Sequence, residues 1–288
     1  MTYVFRFAPS PNGRLHLGHA YSALLNAQAA RQSGGRFLLR IEDIDPTRCK
    51  PEFTQHLLDD LAWLGLAWEE PVRVQSQHMA DYAAALDKLK GRDLVYPCFC
   101  SRREVEEAST AHDPDGAPLY PGTCSKLLPQ AAAQRIAQGA PHSWRLHMQK
   151  ALLGMDGALS YKRFSPESFE EESVAADPAR WGDAILARKE TPTSYHLSVV
   201  VDDALQGVTH VVRGKDLEAA TSIHALLQKL LGLPTPLYHH HALLLAAEGD
   251  KLSKSRDSET LADLRERGMT EAQVLAMIRS LLNPGSSA

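Results

Sequence analysis

Two histidines three positions apart stand where the first helix of the chain is expected to begin. His16 and His19 flank Gly18, shortly after the turn-forming residues 9–13. The first N–H groups of a helix have no partner and the helix dipole attracts anions, so phosphates bind readily there. Both histidines project from one side of the first turn, and Gly18 leaves room for a flat ring against the backbone. Taken alone, the segment is also compatible with two solvent-exposed histidines at a helix start.

A second candidate phosphate-binding segment lies near the other end of the chain. Lys251-Leu252-Ser253-Lys254-Ser255 brings together two lysines and two hydroxyls, which could hold a triphosphate during displacement at its α-phosphorus. This segment alone is only a charged loop. Its combination with the His16/His19 pair favours nucleotide chemistry.

Three cysteines form the third candidate site. Cys98, Cys100 and Cys124 fall in one short stretch of the chain, and thiolates are good soft metal ligands. A phenolate from Tyr120 or the imidazole of His112 could complete a tetrahedron. Reduced cysteines packed together in a small subdomain are the alternative interpretation.

The elements that must position these residues are those of an α/β protein. The pattern predicts a strand at about 4–7, a helix at 17–33 and a strand at 37–41, followed by helices at 51–64 and 79–90. A strand–helix–strand unit of this length implies a parallel pair with a right-handed crossover. We therefore expect a Rossmann-type, doubly wound parallel sheet.

A change of composition at about residue 96 predicts an insertion between two halves of this sheet. The expected divisions are 1–95 and 181–245 for the catalytic halves, 96–180 for a zinc-containing insertion and 246–288 for the KLSKS loop with a helical tail. The second half is expected to contain strands at 198–201, 208–212 and 241–245, with a helix at 217–231. Short helices are expected at 261–267 and 271–282.

Composition is that of an ordinary soluble protein. The chain has 288 residues, of which 44% are hydrophobic and 23% charged, and its net charge of −4 predicts no global basic surface for nucleic acid, although a local one would serve. Four cysteines do not make a disulfide scaffold, and Cys49 is expected to be an exposed thiol. No apolar run is long enough to span a bilayer, so we expect a cytoplasmic protein without a membrane partner.

The two phosphate-binding candidates resemble known signatures. His16-Leu17-Gly18-His19 and Lys251-Leu252-Ser253-Lys254-Ser255 are similar to the HIGH and KMSKS motifs of class I aminoacyl-tRNA synthetases, each departing by one apolar residue. Further segments resemble the glutamyl/glutaminyl branch, at residues 6–11, 40–48, 200–203 and 210–217. The resemblance covers nearly the whole chain and implies activation of glutamate by ATP.

This resemblance implies a glutamate site at the strand ends, where doubly wound folds place ligands. Arg6 and Arg213 would bind the two carboxylates and Glu42 the ammonium, which suits the geometry of guanidinium forks. The other residues expected at this site are Phe7, Ala8, Pro9, Ser10 and Tyr195. For any single charged residue, a surface salt bridge is an alternative.

The same resemblance implies nucleotide and metal ligands. The residues expected to contact ATP, which enters with Mg²⁺, or to act in catalysis are His16, Gly18, His19, Lys251 and Lys254. The expected ligands of one structural zinc are Cys98, Cys100, Tyr120 and Cys124. His112 stays open as the fourth ligand in place of Tyr120.

Only a short tail follows Ser255, whereas glutamyl-tRNA synthetases continue into a helical anticodon-binding region. The chain therefore resembles the glutamyl-Q tRNA(Asp) synthetase family, which esterifies glutamate onto queuosine. The expected partners are L-glutamate, ATP and the anticodon loop of tRNA(Asp), and we expect a monomer. Three alternatives stay open: charging of a tRNA 3′ end, transfer of the acyl group to a small amine, and a non-catalytic tRNA-binding relative.

Overall fold

The strand–helix–strand unit predicted at the N-terminus is present in the computed structural model, which describes residues 2–244 and 259–282. Strand β1 (Val4–Phe7) and strand β2 (Arg36–Ile41) pair in parallel, and helix α1 (Leu17–Gln32) connects them. Glycine follows α1 because the chain must turn sharply: Gly34 has a φ of 63°, in the left-handed region that glycine tolerates.

The central sheet has seven strands in the order β3-β2-β1-β9-β10-β6-β7. Its other strands are β3 Glu69–Val74, β6 Ser160–Phe164, β7 Glu171–Ala175, β9 His210–Gly214 and β10 Leu237–His241. All neighbours pair in parallel except β6 and β7. The order reverses between β1 and β9, and ligands bind at such a reversal in doubly wound folds. The predicted fold class is confirmed.

Helices pack on both faces of this sheet, α1 on one and α8 (Ala220–Leu231) on the other, and further helices lie elsewhere in the fold. After α1, the helices of the described residues are α2 Pro51–Trp63, α3 Met79–Gly91, α4 Arg102–Ala108, α5 Pro129–Ala137, α6 Met148–Leu153, α7 Tyr195–Leu205, α8 Ala220–Leu231, α9 Leu261–Glu266 and α10 Glu271–Leu282. Side chains of β1 alternate between the faces: Phe5 packs in a cluster with residues of α1 and α2, whereas Val4 packs with Ala225 of α8. A buried parallel sheet of this kind needs apolar cover on both sides.

A small antiparallel sheet interrupts the two halves of the large one. Its strands are β4 Val95–Cys98, β5 Ser143–Leu146 and β8 Ile185–Ala187. The predicted insertion, 96–180, also contains β6 and β7, and these two strands join the large sheet. Part of the segment predicted as an insertion therefore contributes strands to the central sheet.

Two predicted strands are wrong. Residues 198–201 lie within α7, whose residues 197–203 are all buried, so the run has no polar face to reveal its helical period. The last parallel strand is Leu237–His241, because the histidines pair with β9, whereas Leu243 and Leu244 lie outside any strand and Leu245 lies outside the described residues. Within residues 2–244 and 259–282, we find no helix with the length and apolar character that a bilayer crossing requires.

Buried ion pairs fasten α7 to the carboxyl ends of β1 and β2. Arg40 is fully buried, and its guanidinium donates to Asp203 Oδ1 at 2.8 Å and to Glu42 Oε1 at 3.2 Å. Arg6 Nε donates to the same Asp203 oxygen at 3.1 Å. Since buried charges are costly unless paired, this network fixes how the three elements meet.

The adjacent residue of α7 makes a second set of contacts. Asp202 accepts hydrogen bonds from Arg73 Nε at 2.6 Å, from Gln75 Nε2 at 2.7 Å and from the Tyr82 hydroxyl at 2.9 Å. These donors lie on β3, just after β3 and on α3. One aspartate pair therefore joins α7 to the strand ends on one side and to α3 on the other.

We predict that Asp203→Asn lowers the free energy of unfolding by about 3–5 kcal/mol, because Arg6 and Arg40 keep their buried charges and lose the carboxylate between them. Urea unfolding followed by circular dichroism measures this. Glu69→Gln is the matched control, since it removes the carboxylate of the exposed Arg36–Glu69 pair and should leave stability unchanged. Equal unfolding curves for the two variants would contradict the role given to Asp203.

Candidate active site

His16 and His19 cap the N-terminus of α1. The Nδ1 atom of His16 accepts from the Gly18 backbone N–H at 3.1 Å, and His19 Nδ1 accepts from the His16 backbone N–H at 3.3 Å. The ring centroids are 3.9 Å apart. Because Nδ1 is the acceptor in each ring, the neutral tautomer carries its proton on Nε2. Both imidazoles can therefore offer an N–H donor to an anion.

A side chain at position 18 would crowd this cap. A Cβ at this position would lie 3.0 Å from Cε1 and 3.2 Å from Nδ1 of His16, closer than side chains normally approach. The imidazole of His16 occupies the space next to Gly18. The space that a ligand would use is therefore bounded by this imidazole.

The chain that follows the KLSKS motif is fastened beside this cap. Thr260 forms an isolated antiparallel bridge with His16, and the Leu261 backbone N–H donates to Leu15 O at 2.8 Å. Lys251 and Lys254, predicted to contact the leaving pyrophosphate, lie outside the described residues.

The loops after β1 and β2 meet at a small pocket. The Glu42 backbone N–H donates to Pro9 O at 3.0 Å, which holds the two loops together. A cavity of about 210 Å³ opens here, and Ser10, Glu42 and Tyr195 are among its lining residues. The sequence prediction named all three. Phe7 instead packs in the hydrophobic core, and Pro9 is buried while Ala8 is half-buried.

The three charged residues predicted for this site differ in their surroundings. Arg6 is held by Asp203, as described above, and Glu42 by Arg40. Arg213, only 5% exposed, donates to Thr221 Oγ1 at 2.7 Å and to the Tyr195 hydroxyl at 3.4 Å. Tyr195 therefore links Arg213 to the pocket.

Electrostatics at the pocket favour a cation beside Glu42. Burial raises the pKa of Glu42, and the charges of Arg40 and Arg6 oppose this only in part. Burial acts in the same direction on Asp203, but Arg6 and Arg40 together bring the pKa of Asp203 below its ordinary value. An ammonium group bound near Glu42 would stabilise its ionised form.

Sequence reasoning did not name Arg40, Asp202 or Asp203 as parts of the site. Each is a charged residue within an apolar run, and such residues are rarely buried without a partner. That signal was present in the sequence. The sequence did not show which residues pair with them, because Arg40 and Asp203 are 163 residues apart.

The three predicted cysteine ligands come together at the end of β4. Their sulfur atoms all lie within 4.8 Å of one another, with Cys100 and Cys124 3.5 Å apart. Tetrahedral thiolates at the usual zinc–sulfur distance are about 3.8 Å apart, so the cluster has the size of a metal site. These cysteines could hold a metal ion.

Tyr120 belongs to this cluster and His112 does not. The Tyr120 hydroxyl lies 3.3 Å from Cys98 Sγ and 3.6 Å from Cys100 Sγ, whereas His112 is exposed and bridges Pro118. Burial would raise the pKa of Cys98, but its hydrogen bond with Tyr120 and the nearby Arg145 guanidinium bring it below the ordinary value. Burial and the neighbouring cysteines raise the pKa of Tyr120.

A large groove of about 1,150 Å³ adjoins the pocket, and residues of the small sheet are among its lining. Its lining includes Tyr120 and Arg145 of the insertion and Tyr195 and His196 of α7. Residues shared with the smaller pocket are Asp45, Arg48, Arg188 and Tyr195. A molecule bound in the groove could therefore reach the pocket directly.

The class I tRNA synthetase family (E and Q), catalytic domain, matches residues 3–287. The chain belongs to this family. It is therefore a class I synthetase, an enzyme of the ligase type, as the HLGH and KLSKS motifs indicated.

Two curated relatives of this class I synthetase are named glutamyl-Q tRNA(Asp) synthetase. The protein of Rhodobacter capsulatus is 47% identical over 96% of the chain and 99% of that relative. The protein of Nocardia farcinica is 43% identical over 96% of the chain and 84% of that relative.

A solved glutamate tRNA ligase from Elizabethkingia meningosepticum, in complex with its amino acid, has the same fold, with a TM-score of 0.77 and 25% identity over 96% of the chain. The class I synthetase chain spans about 60% of the length of that ligase.

We predict that His16→Ala and His16→Asn differ in stability. Alanine removes the cap of α1 and should lower the free energy of unfolding by about 1 kcal/mol, whereas asparagine is a preferred cap and should retain most of it. Urea unfolding of the two variants tests this difference. A wild-type curve for His16→Ala would show that the imidazole contributes nothing as a cap.

Proposed function

We propose that the chain activates L-glutamate with ATP and transfers the glutamyl group to queuosine in the anticodon loop of tRNA(Asp). The observation that carries the first half is the pocket at the reversal of strand order, where Ser10, Glu42 and Tyr195 meet. The similarity to the Rhodobacter capsulatus synthetase over 99% of its length supports the second half.

Glutamate fits the charges around the pocket. Its ammonium would lie against Glu42, and its two carboxylates would take Arg6 and Arg213, which lie on neighbouring strands at the reversal. A carboxylate oxygen then attacks the α-phosphorus of ATP, forming the mixed anhydride and releasing pyrophosphate. Such a displacement needs positioning and charge stabilisation rather than a protein nucleophile.

The capping geometry supports a role for His16 and His19 in this step. Their Nε2–H groups would donate to the phosphates of ATP, which carries Mg²⁺, while Nδ1 stays engaged with the helix start. The His16→Asn variant, which keeps the cap, is then expected to lose adenylate formation. Lys251 and Lys254 would stabilise the departing pyrophosphate.

The groove beside the pocket is suited to the acceptor. In the second step, a hydroxyl of the queuosine cis-diol attacks the carbonyl carbon of the anhydride, forming an ester and releasing AMP. An RNA loop can extend one nucleoside into such a groove, with the phosphates outside and the bases against aromatic side chains. Trp181 and Tyr195 are aromatic residues of its lining.

The acceptor distinguishes this proposal from its main rival. We expect glutamate transfer to tRNA(Asp) with queuosine and none to tRNA(Asp) with guanosine at that position or to tRNA(Glu). Mass spectrometry of ribonuclease fragments should place the glutamyl group on the anticodon fragment. Removal of the 3′-terminal adenosine from the queuosine-containing tRNA should not prevent transfer.

The rival function is charging of a tRNA 3′ end, which the likeness to the Elizabethkingia glutamate tRNA ligase favours. It predicts transfer to tRNA(Glu) that depends on the terminal adenosine. Absence of glutamate-dependent ATP–pyrophosphate exchange with every tRNA would exclude both functions.

The sulfur cluster is proposed to hold one structural zinc, with Cys98, Cys100, Tyr120 and Cys124 as ligands. The donor set fits, since three sulfurs lie within 4.8 Å of one another, the Tyr120 oxygen lies 3.3 Å from Cys98 Sγ, and the Cys124 N–H donates to that oxygen at 2.7 Å. Zinc would deprotonate the thiols and hold the start of the insertion in place.

Elemental analysis of protein purified without added metal should show about one equivalent of zinc. The double variant Cys98→Ser with Cys124→Ser should lose it, and Cys49→Ser, outside the cluster, should keep it. Tyr120→Phe should weaken zinc retention against a chelator more than His112→Ala does. The reverse order would assign the fourth ligand to His112.

A further inference from the structure

Arg213 is surrounded by neutral groups. Its Nη2 donates to Thr221 Oγ1 at 2.7 Å, its Nη1 lies 3.2 Å from His224 Nδ1 and 3.4 Å from the Tyr195 hydroxyl, and its Nε lies 3.4 Å from His240 Nε2. Among residues 2–244 and 259–282, no carboxylate oxygen lies within 4.0 Å of this guanidinium. The other two buried arginines near the pocket, Arg6 and Arg40, are both bonded to Asp203.

The hydrogen bonds determine which nitrogen of each imidazole carries the proton. Arginine can only donate, so His224 must accept at Nδ1 and carry its proton on Nε2, which then donates to His196 Nδ1 at 3.2 Å. His240 Nε2 also faces donors, since Thr221 Oγ1 lies 2.9 Å away and already accepts from Arg213. The Thr221 hydroxyl therefore donates a hydrogen bond to His240 Nε2.

The histidines stay uncharged in this arrangement. Burial, reinforced by the charge of Arg213, lowers the pKa of His196 to about 4 and that of His240 to about 3. The same two causes lower the pKa of His224, which is only 1% exposed. At neutral pH, His224 and His240 therefore accept from Arg213 without adding to its charge or cancelling it, and His196 accepts from His224.

We propose that Thr221, His224 and His240 are positioning residues that fix the Arg213 guanidinium through neutral acceptors and so reserve its charge for a carboxylate of the substrate. This inference rests on the proposed function, because it assumes that the substrate is a dicarboxylic amino acid. A carboxylate in place of either imidazole would neutralise Arg213 before the substrate arrives. Neutral acceptors give the same geometry and leave the full charge to separate glutamate from glutamine.

Two variants of matched size separate the effect of a negative charge beside Arg213 from the effect of losing the imidazole. His224→Gln keeps a neutral acceptor beside Arg213, and His224→Glu replaces it with a carboxylate of nearly equal volume. In ATP–pyrophosphate exchange, the KM for glutamate of the Glu variant should exceed that of the Gln variant by about 100-fold, the order expected when a buried charge pair is removed. The KM for ATP should be alike in both, and the preference for glutamate over glutamine should shrink only in the Glu variant.

His240→Gln and His240→Glu make the same comparison from the other side of the guanidinium. This second pair gives the answer if the His224 variants do not fold, which circular dichroism checks first. Equal KM values for glutamate within both pairs would overturn the inference while wild-type exchange remained. Absence of glutamate-dependent exchange in the wild-type protein, with or without tRNA, would instead reject the proposed function.

Discussion

The ion pairs between Asp203 and two arginines determine how the site is assembled. Charges removed from water must be paired, and Arg6, Arg40 and Glu42 lie on or directly after two parallel strands while Asp203 lies on α7. The network therefore fixes α7 against the strand ends, and α7 carries Tyr195 at its first turn. The position of the pocket follows from this electrostatic constraint as much as from sheet topology.

Two buried arginines near the pocket, Arg6 and Arg213, have partners of different charge. Arg6 is bonded to a carboxylate, whereas the described partners of Arg213 are a threonine, a tyrosine and two imidazoles. The Asp203 carboxylate offsets part of the charge of Arg6, whereas the neutral partners of Arg213 leave its charge available to an anion. Residues of one chemical type at two adjacent strands therefore contribute differently to structure and recognition.

A lysine side chain connects the sulfur cluster to the segment that leads to the pocket. Lys189, in the segment that leads to Tyr195, donates to the carbonyl oxygens of Phe99 and Cys100 at 3.2 and 3.0 Å. The loop that presents the cysteines thus contacts the wall of the large groove. A metal in the cluster would stiffen this wall, because it would fix both the loop and the carbonyls that Lys189 binds.

The sequence by itself determined the fold class, the helix start at His16, and the cysteine group, because each depends on residues close together in the chain. It could not determine that residues 198–201 are helical, since a run buried on every side has no period to detect. It also could not pair Arg40 with Asp203 or place His224 beside Arg213. Those contacts join distant segments, and only the packing of α7 and α8 around the sheet brings them within hydrogen-bond distance.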